Sequence, residues 1–345
     1  MQENNVFIFM VLVYNHEKYV IEHLESIKYL VEKYGKDYQV DLYINDDASK
    51  DCSKNLIERW LLVNSGIFRD VKIFLNTRNI GTCKSICKML SAAPNDVAAI
   101  KLTGGDDIYS FENIFEVCAE NNGYSFLSGI PLHFSGSDLY LDKAEYFGLI
   151  ASQVIYKNKY LLERFKFLSI NNAPNLFYNA KSLTSDITLS FLSEFDVVED
   201  WPIQIAIAEQ VFNQPYVVKN KVYVYYRRTQ GSAYIVANSR FINDKVKVYD
   251  YLESCSSSFF EKLLIRNRRF LFVLNNSKLN KLLNISFYIF LIKSLLNFKG
   301  IKSLEANCVI TTDLHNTHLG VITKRSSDFL EMELGSEKVS PAHYI

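Results

Sequence analysis

At 345 residues the chain is long enough for one large domain or two modest ones around a sizeable core. Its 38 basic residues are matched by 38 acidic ones, which excludes the net positive field of a nucleic-acid binder at the level of the whole chain. Aromatic residues make up 14%, a content that fits either a well-packed core or a surface that meets sugars or lipid.

Val6 to Val13 is a continuous apolar run, the pattern of a strand covered on both faces in a parallel sheet. No basic segment precedes it, no small-residue cleavage site follows, and it is too short to span a bilayer, so a buried first strand is expected rather than a signal peptide. After Tyr14-Asn15-His16-Glu17, apolar residues at helical spacing run from Tyr19 to Tyr34, and Gly35 is placed to close that helix. Val40 to Ile44 reads as a second strand, running into the acidic loop Asn45-Asp46-Asp47-Ala48-Ser49-Lys50-Asp51. A helix over Ser53 to Leu62, a strand over Val71 to Leu75, a polar loop from Asn76 to Gly81 and a helix over Thr82 to Leu90 follow. Val97 to Leu102 is the fourth strand. This β-α-β-α-β-α-β order predicts a doubly wound, mostly parallel sheet whose ligands bind beyond the carboxyl ends of its strands.

The fourth strand leads into Gly104-Gly105-Asp106-Asp107, and helical spacing resumes from Phe111 to Cys118. Two glycines let the backbone bend sharply and approach a ligand. Adjacent carboxylates at a strand end suit a hard divalent cation that shares substrate phosphates; a solvated turn explains the same residues equally well. Neither G-x-G-x-x-G nor a Walker lysine motif follows the first strand. Farther on, Ser125 to Ile130 and Gln153 to Tyr156 are candidate strands, and Asn171 to Pro174 is a loop before Leu176-Phe177-Tyr178. Glu199-Asp200-Trp201-Pro202 opens a helical run, so Asp200 is a candidate helix cap. Val222 to Tyr226 reads as a late strand, followed by Arg227-Arg228-Thr229-Gln230-Gly231-Ser232.

Taken in order, Tyr14-Asn15, Asp46 to Asp51, Asn79-Ile80-Gly81, Gly105-Asp106-Asp107 and Glu199-Asp200-Trp201 resemble family 2 glycosyltransferases of the GT-A fold, over roughly residues 5 to 235. The resemblance implies an inverting, metal-dependent transferase acting on a nucleotide sugar, in the first place a UDP-sugar. It implies that Asp47, with Asp46 beside it, holds the nucleotide base, that Asp106 faces the ribose, and that Asp107 with Asp106 binds Mn2+ or Mg2+. Asp200 would be the general base, and Tyr14, Asn15, Asn79, Gly81, Glu199 and Trp201 would contact substrate. The segment from Arg227 is similar to the family's Tyr-Arg-x-His-x-x-Ser loop, with Thr229 in the histidine's place, which leaves the remaining metal ligands open. Arg227 and Arg228 either bind the diphosphate through their guanidinium groups or are solvated residues of a surface loop.

The resemblance stops near residue 240. Nine basic residues from Lys262 to Lys302, among them Arg266, Arg269, Lys278, Lys281 and Lys299, occur with no acid between them, and they flank the apolar runs Phe270 to Leu274 and Ile285 to Ile292. That pattern fits an interfacial segment drawn to anionic lipid; a helical cap on the catalytic domain is the other reading. After Glu305 the chain is largely polar.

The expected organisation is therefore a GT-A domain over 1–235, with a nucleotide-binding half 1–110 and an acceptor half 111–235. A basic amphipathic helical region over 240–305 and a polar tail over 306–345 follow. The expected partners are a nucleotide-sugar donor, a glycan or lipid-linked acceptor of bacterial surface polysaccharide or lipopolysaccharide synthesis, and an anionic membrane surface, with no nucleic acid. Six scattered cysteines without a Cys-x-x-Cys pair point to a reducing compartment, so a cytoplasmic protein, peripheral on the inner face of the membrane, is expected. A nucleotidyltransferase and a non-catalytic, membrane-docked nucleotide-binding module are the alternatives.

Overall fold

Strand β1 (Val6–Val13) is buried along nearly its whole length, which requires a central place in a sheet covered on both sides. In the computed structural model it lies between β2 (Gln39–Asp46) and β4 (Ala99–Gly104), with β3 (Asp70–Leu75) outside β2. All three pairings are parallel. The structure describes residues 5–120, 124–134, 136, 138–169, 173–211, 216–228, 239–307 and 310–337.

Because strand side chains alternate between faces, β1 feeds two cores. Phe7, Phe9, Val11 and Val13 pack with α1 (Val20–Tyr34) and α2 (Ser53–Asn64). Val6, Ile8 and Met10 pack with α3 (Thr82–Ser91) and the helix Asp200–Gln210. The sheet is thus doubly wound, as the element order requires. Two smaller sheets extend it: β6 (Phe126–Ser128) lies between β9 (Leu176–Tyr178) and β10 (Tyr216–Val218), and β11 (Val224–Arg227) lies between β5 (Ile108–Tyr109) and β7 (Leu132–Phe134), with β8 (Leu139–Tyr140) outside β7. A buried cation couples large sheet to small: Lys101 of β4 donates to the carbonyls of Pro174 and Leu176 at 2.7 Å each and lies 4.7 Å from the Phe177 ring centre. Burial pulls its pKa down to about 7.

Several sequence expectations are corrected. Gln153 to Tyr156 is no strand; it is the end of the helix Lys143–Ile155 and the turn after it, where an Asp142 cap fixes the helix start. Only a 3-10 turn, Ile114–Glu116, and the short helix Val117–Glu120 form between Phe111 and Cys118. Gly35 follows α1 with φ −76°, so it continues into a 3-10 turn and is not a left-handed cap. The supposed polar tail contains a 26-residue helix, Thr312–Glu337. This last helix lies on α1, where Arg325 pairs with Glu25 and Glu32. It buries Leu319, Ile322 and Phe329, together with His315 and His318. His318 approaches the Tyr109 carbonyl at 3.2 Å, and His315 stacks on Phe111 and meets the Tyr225 hydroxyl at 2.9 Å.

If that helix is part of the folded core, Ile322→Ala should cost about 2–5 kcal/mol in denaturant unfolding. An unchanged midpoint would mark the segment as an appendage.

Candidate active site at the carboxyl edge of the parallel sheet

The register sets Val13 opposite Asp46, Leu12 opposite Gly104 and Asp46 opposite Leu75. The loops that follow all four strands therefore emerge along one edge, which gathers Tyr14-Asn15, Asp46-Asp47, Asn76 to Gly81 and Gly104 to Asp107. Tyr14 is exposed there.

The first two loops are zipped together by side chains. Asn15 stands at φ 57° and Ala48 at φ 63°, left-handed conformations that L-residues seldom adopt. Around them the Asn15 amide donates to Ser49 Oγ at 2.9 Å, the Lys50 amide to Asn15 Oδ1 at 2.8 Å, and the Ser49 amide to Asp46 Oδ1 at 2.9 Å. Asp51 accepts from the amides of Glu17 and Ser53 at 3.0 Å each, and burial, working against these bonds, leaves its carboxyl still below the usual range. Asn15 and Asp46 are thus bound into the loops that they shape.

Asp47 is buried, and its carboxylate holds the third loop. It accepts from Asn76 Nδ2 at 2.9 Å and from the amides of Ile80 and Gly81 at 2.8 and 3.0 Å. Gly81 has φ +90°, and a Cβ there would run into the carboxylate and carbonyl of Asp196 and the guanidinium of Arg240. Arg240 pairs with Asp196 and donates to Asn79 Oδ1 at 2.8 Å. The Asp47 carboxylate therefore acts on the backbone of this loop, and Asn79 is tied to a helix beyond the resemblance.

That helix, Ser239–Ser254, also shapes the approach to Glu199-Asp200. Buried Asp244 accepts through Oδ2 from the amides of Asp196, Val197 and Val198 at 2.9, 2.7 and 3.1 Å. The helix Asp200–Gln210 then begins, and Glu199 sits at its cap position without a capping side-chain bond. Asp200 Oδ1 accepts from the Trp201 amide at 2.8 Å, so the carboxylate is pinned by its own neighbour. Burial pushes Glu199 up to about 7, and the Asp200 charge beside it adds to the rise. Trp201 turns away into packing, with Lys245 4.4 Å from its ring centre and Phe165 and Tyr249 alongside. Neither Arg240 nor Asp244 was singled out from the sequence; their i,i+4 spacing, which puts both on one helix face, was the available signal.

Gly104 and Gly105 sit in tight surroundings. A Cβ on Gly104 would stand 2.6 Å from Asp106 Oδ1, and one on Gly105 would stand 3.2 Å from both His16 Nδ1 and Val13 Cγ2. Asp107 is buried, and burial, reinforced by the Asp106 charge, holds its carboxyl well above the usual range. Its Oδ1 accepts the Arg227 amide at 3.1 Å, and its carbonyl meets His23 Nδ1 at 2.8 Å. No side chain bonds its Oδ2 among the described residues. The Arg227 guanidinium donates to the Asp106 carbonyl at 2.8 Å, pairs with Glu22, and lies between the rings of Phe134 and Tyr19. The guanidinium is thus partly buried and held beside the Asp106-Asp107 turn. Arg228 pairs with Asp142 and Glu145, also away from Asp106 and Asp107. Thr229 lies outside the described residues. The two carboxylate clusters meet through β9: Lys101 holds its first residue, and burial together with the charges of Asp200 and Glu199 raises the hydroxyl pKa of Tyr178, its last.

Among the described residues no group of three or more His, Cys, Asp or Glu could hold a metal ion. Asp106 and Asp107 nevertheless fit a cation shared with a ligand. A pair of carboxylates, one buried and with an oxygen unbonded, is the protein half of a site that substrate phosphates complete.

Asp244→Ala strands three amides, so it should destabilise the chain by about 2–4 kcal/mol and free the Glu199-Asp200 turn, read as faster hydrogen exchange at residues 196–198. Titration supplies a second check. Burial lowers His23, His315 and His318 to about 4. Each is neutral when folded, so its contribution is complete above about 6.5 and is lost as pH falls towards 4. His318→Gln should therefore be less sensitive to acid than wild type between pH 6.5 and 4. Glu199 has the opposite sign: its contribution is complete below 4.5 and is lost as pH rises through about 7. Glu199→Gln should flatten that loss, measured by urea unfolding across the range.

No family model matches the sequence, and no curated protein matches it. Solved structures do resemble it in backbone. Staphylococcus aureus TarS 1–349 in complex with UDP-GlcNAc aligns over 79% of this chain and 74% of its own, at 17% identity and a TM-score of 0.55. A second structure of TarS 1–349 covers 98% of this chain and 93% of its own, at 14% identity and a TM-score of 0.52. This chain spans 44% of a longer TarS structure, at 18% identity and a TM-score of 0.52. At such identities the likeness concerns the fold alone, and that fold is GT-A.

Proposed function

We propose that this chain is an inverting glycosyltransferase that moves a sugar from a nucleotide sugar, in the first place a UDP-sugar, to a hydroxyl of a glycan or lipid-linked acceptor. The observation that carries the proposal is the Asp106-Asp107 turn with Asp107 buried, set on the same sheet edge as the Asp46-Asp47 loop. The GT-A architecture around it is shared with TarS, which was solved with UDP-GlcNAc.

In this reading residues 1–110 bind the nucleotide and 111–235 shape the acceptor side. The Asp47-ordered loop and the exposed Tyr14 bound the base, and Asp106 faces the ribose. Asp106 and Asp107 would hold Mn2+ or Mg2+, which when bound supplies a Lewis acid for charge on the departing diphosphate. Arg227 works indirectly, clamping the Asp106 carbonyl and the Asp107 carboxylate in place. Asp200 accepts the acceptor hydroxyl's proton as that oxygen bonds to the anomeric carbon and the bond to the diphosphate breaks on the opposite face. An aspartate is a weak base, but the proton moves only as the attacking oxygen loses electron density. The Trp201 amide and the Asp244-held turn orient the carboxylate, and such positioning carries much of the rate.

Two variants separate the parts. Asp200→Asn should reduce transfer by about 10²–10⁴-fold while calorimetric UDP affinity stays near wild type; undiminished transfer would refute the base assignment. Asp107→Ala should weaken UDP-GlcNAc binding to the level that EDTA produces in wild type. Equal affinity with and without EDTA, and in the variant, would remove the metal role.

A further inference from the structure

The helix Ile285–Leu296 is inside out. It turns Ser286, Phe290 and Ser294 towards the protein, and leaves Ile292, Leu295 and Leu296 56%, 66% and 81% exposed. Water on one side does not explain this, because the large apolar side chains are the ones left outside and two of the three buried residues are serines. The neighbouring helices continue the same surface. Phe259–Leu274 buries Leu264, Ile265, Arg268 and Leu271 but exposes Phe270, Val273 and Leu274, and Ser277–Leu283 buries nothing while exposing Leu282 and Leu283.

No single helix among the described residues is long and apolar enough to cross a membrane, but Ser277–Leu283 and Ile285–Leu296 together reach membrane-like hydropathy and bend by 55°. The bend is built in. Asn267, from the helix Phe259–Leu274, donates to the Leu283 carbonyl at 3.1 Å and accepts from the Ile285 amide at 3.0 Å, filling the gap at the break. Arg268, next to it, is anchored on the carbonyls of Phe165, Lys166 and Phe167. The pair is therefore fastened flat against the protein with its apolar side outward.

Charge selects the occupant. Arg266, Arg269 and Lys302 are paired with Glu253, Asp250 and Glu305. Lys278, Lys281 and Lys299 are exposed and have no ion pair among the described residues, and residues 262–302 contain no acid. A second copy of the chain would bring the same uncompensated cations to the contact, whereas an anionic leaflet neutralises them while its acyl region takes up the leucines and phenylalanines. We infer that this face is a docking surface for an anionic lipid bilayer, with the bent pair lying in the interface.

The test uses the full chain and vesicles of phosphatidylcholine with or without phosphatidylglycerol. The protein should sediment with the anionic vesicles at low salt, weakly with phosphatidylcholine alone, and be released as salt rises. Lys278→Gln, Lys281→Gln and Lys299→Gln together should weaken partition roughly 100-fold, at about five-fold per charge. Leu291→Trp, at an exposed position, should gain a fluorescence signal that brominated acyl chains quench. Folded protein that ignores anionic vesicles at low salt would overturn the inference. So would binding without quenching at Leu291→Trp, which marks a purely electrostatic contact. Concentration-dependent self-association abolished by Leu291→Ser and Leu295→Ser, with no vesicle binding, would assign the face to a second copy instead.

Discussion

Asp107 places an acid beside another acid at the buried end of a strand, and distant parts of the chain are arranged to hold it there. Its carboxylate takes the amide of Arg227 from β11, its carbonyl meets His23 of α1, and the Arg227 guanidinium locks the carbonyl of Asp106. The strand before it carries Lys101, whose charge works against the rise in the Asp107 pKa. Two residues on, the Tyr109 carbonyl meets His318 of the last helix. Burying such a pair without compensation costs several kcal/mol. These supports answer only part of that cost, and Oδ2 of Asp107 has no side-chain bond among the described residues. An incompletely compensated anionic site is what a cation-bearing ligand can complete.

The same arrangement shows why parts of the chain were readable and others not. Strands β1, β2 and β4 are buried along most of their length while β3 at the sheet edge is not, and continuous apolar runs such as Val6 to Val13 announce that burial directly. The acidic loops were legible because each follows such a run. The last helix was not: its buried face mixes His315, His318 and Ser326 with Leu319, Ile322 and Phe329. Apolar periodicity is diluted by polar residues that are buried because they contact aromatic rings and carbonyls. Gln153 to Tyr156 misled for a related reason, since a short β-branched and aromatic stretch looks alike in a strand and at a helix end. Asp244 and Arg240 are single charged residues on a helix, and only the fold shows that their partners are the amides before Glu199 and the loop around Gly81.

Arg227 illustrates how structure changes a role without removing its importance. Its Nε donates to a carbonyl and its Nη2 to a carboxylate, and aromatic rings lie against it. Its influence on a ligand passes through the geometry of Asp106 and Asp107. The same holds for Asp47, whose carboxylate is spent on the backbone of the Asn76–Gly81 loop. Much of the charge at this edge holds the loops in shape, while Oδ2 of Asp107 has no side-chain bond among the described residues.

One helix links the exposed apolar face of the outer helices to the carboxylate edge. The helix Phe259–Leu274 packs on Ser239–Ser254, through contacts that include Phe272 with Phe241 and Tyr249. Ser239–Ser254 in turn carries both Asp244, bonded to the turn before Glu199, and Arg240, bonded to the loop around Gly81. One helix therefore separates an outward apolar face from the two loops that frame the site. The turn before Glu199 is thus braced by a helix that itself packs on Phe259–Leu274. That packing ties the basic, aromatic segment from Lys262 to Lys302 to the GT-A domain.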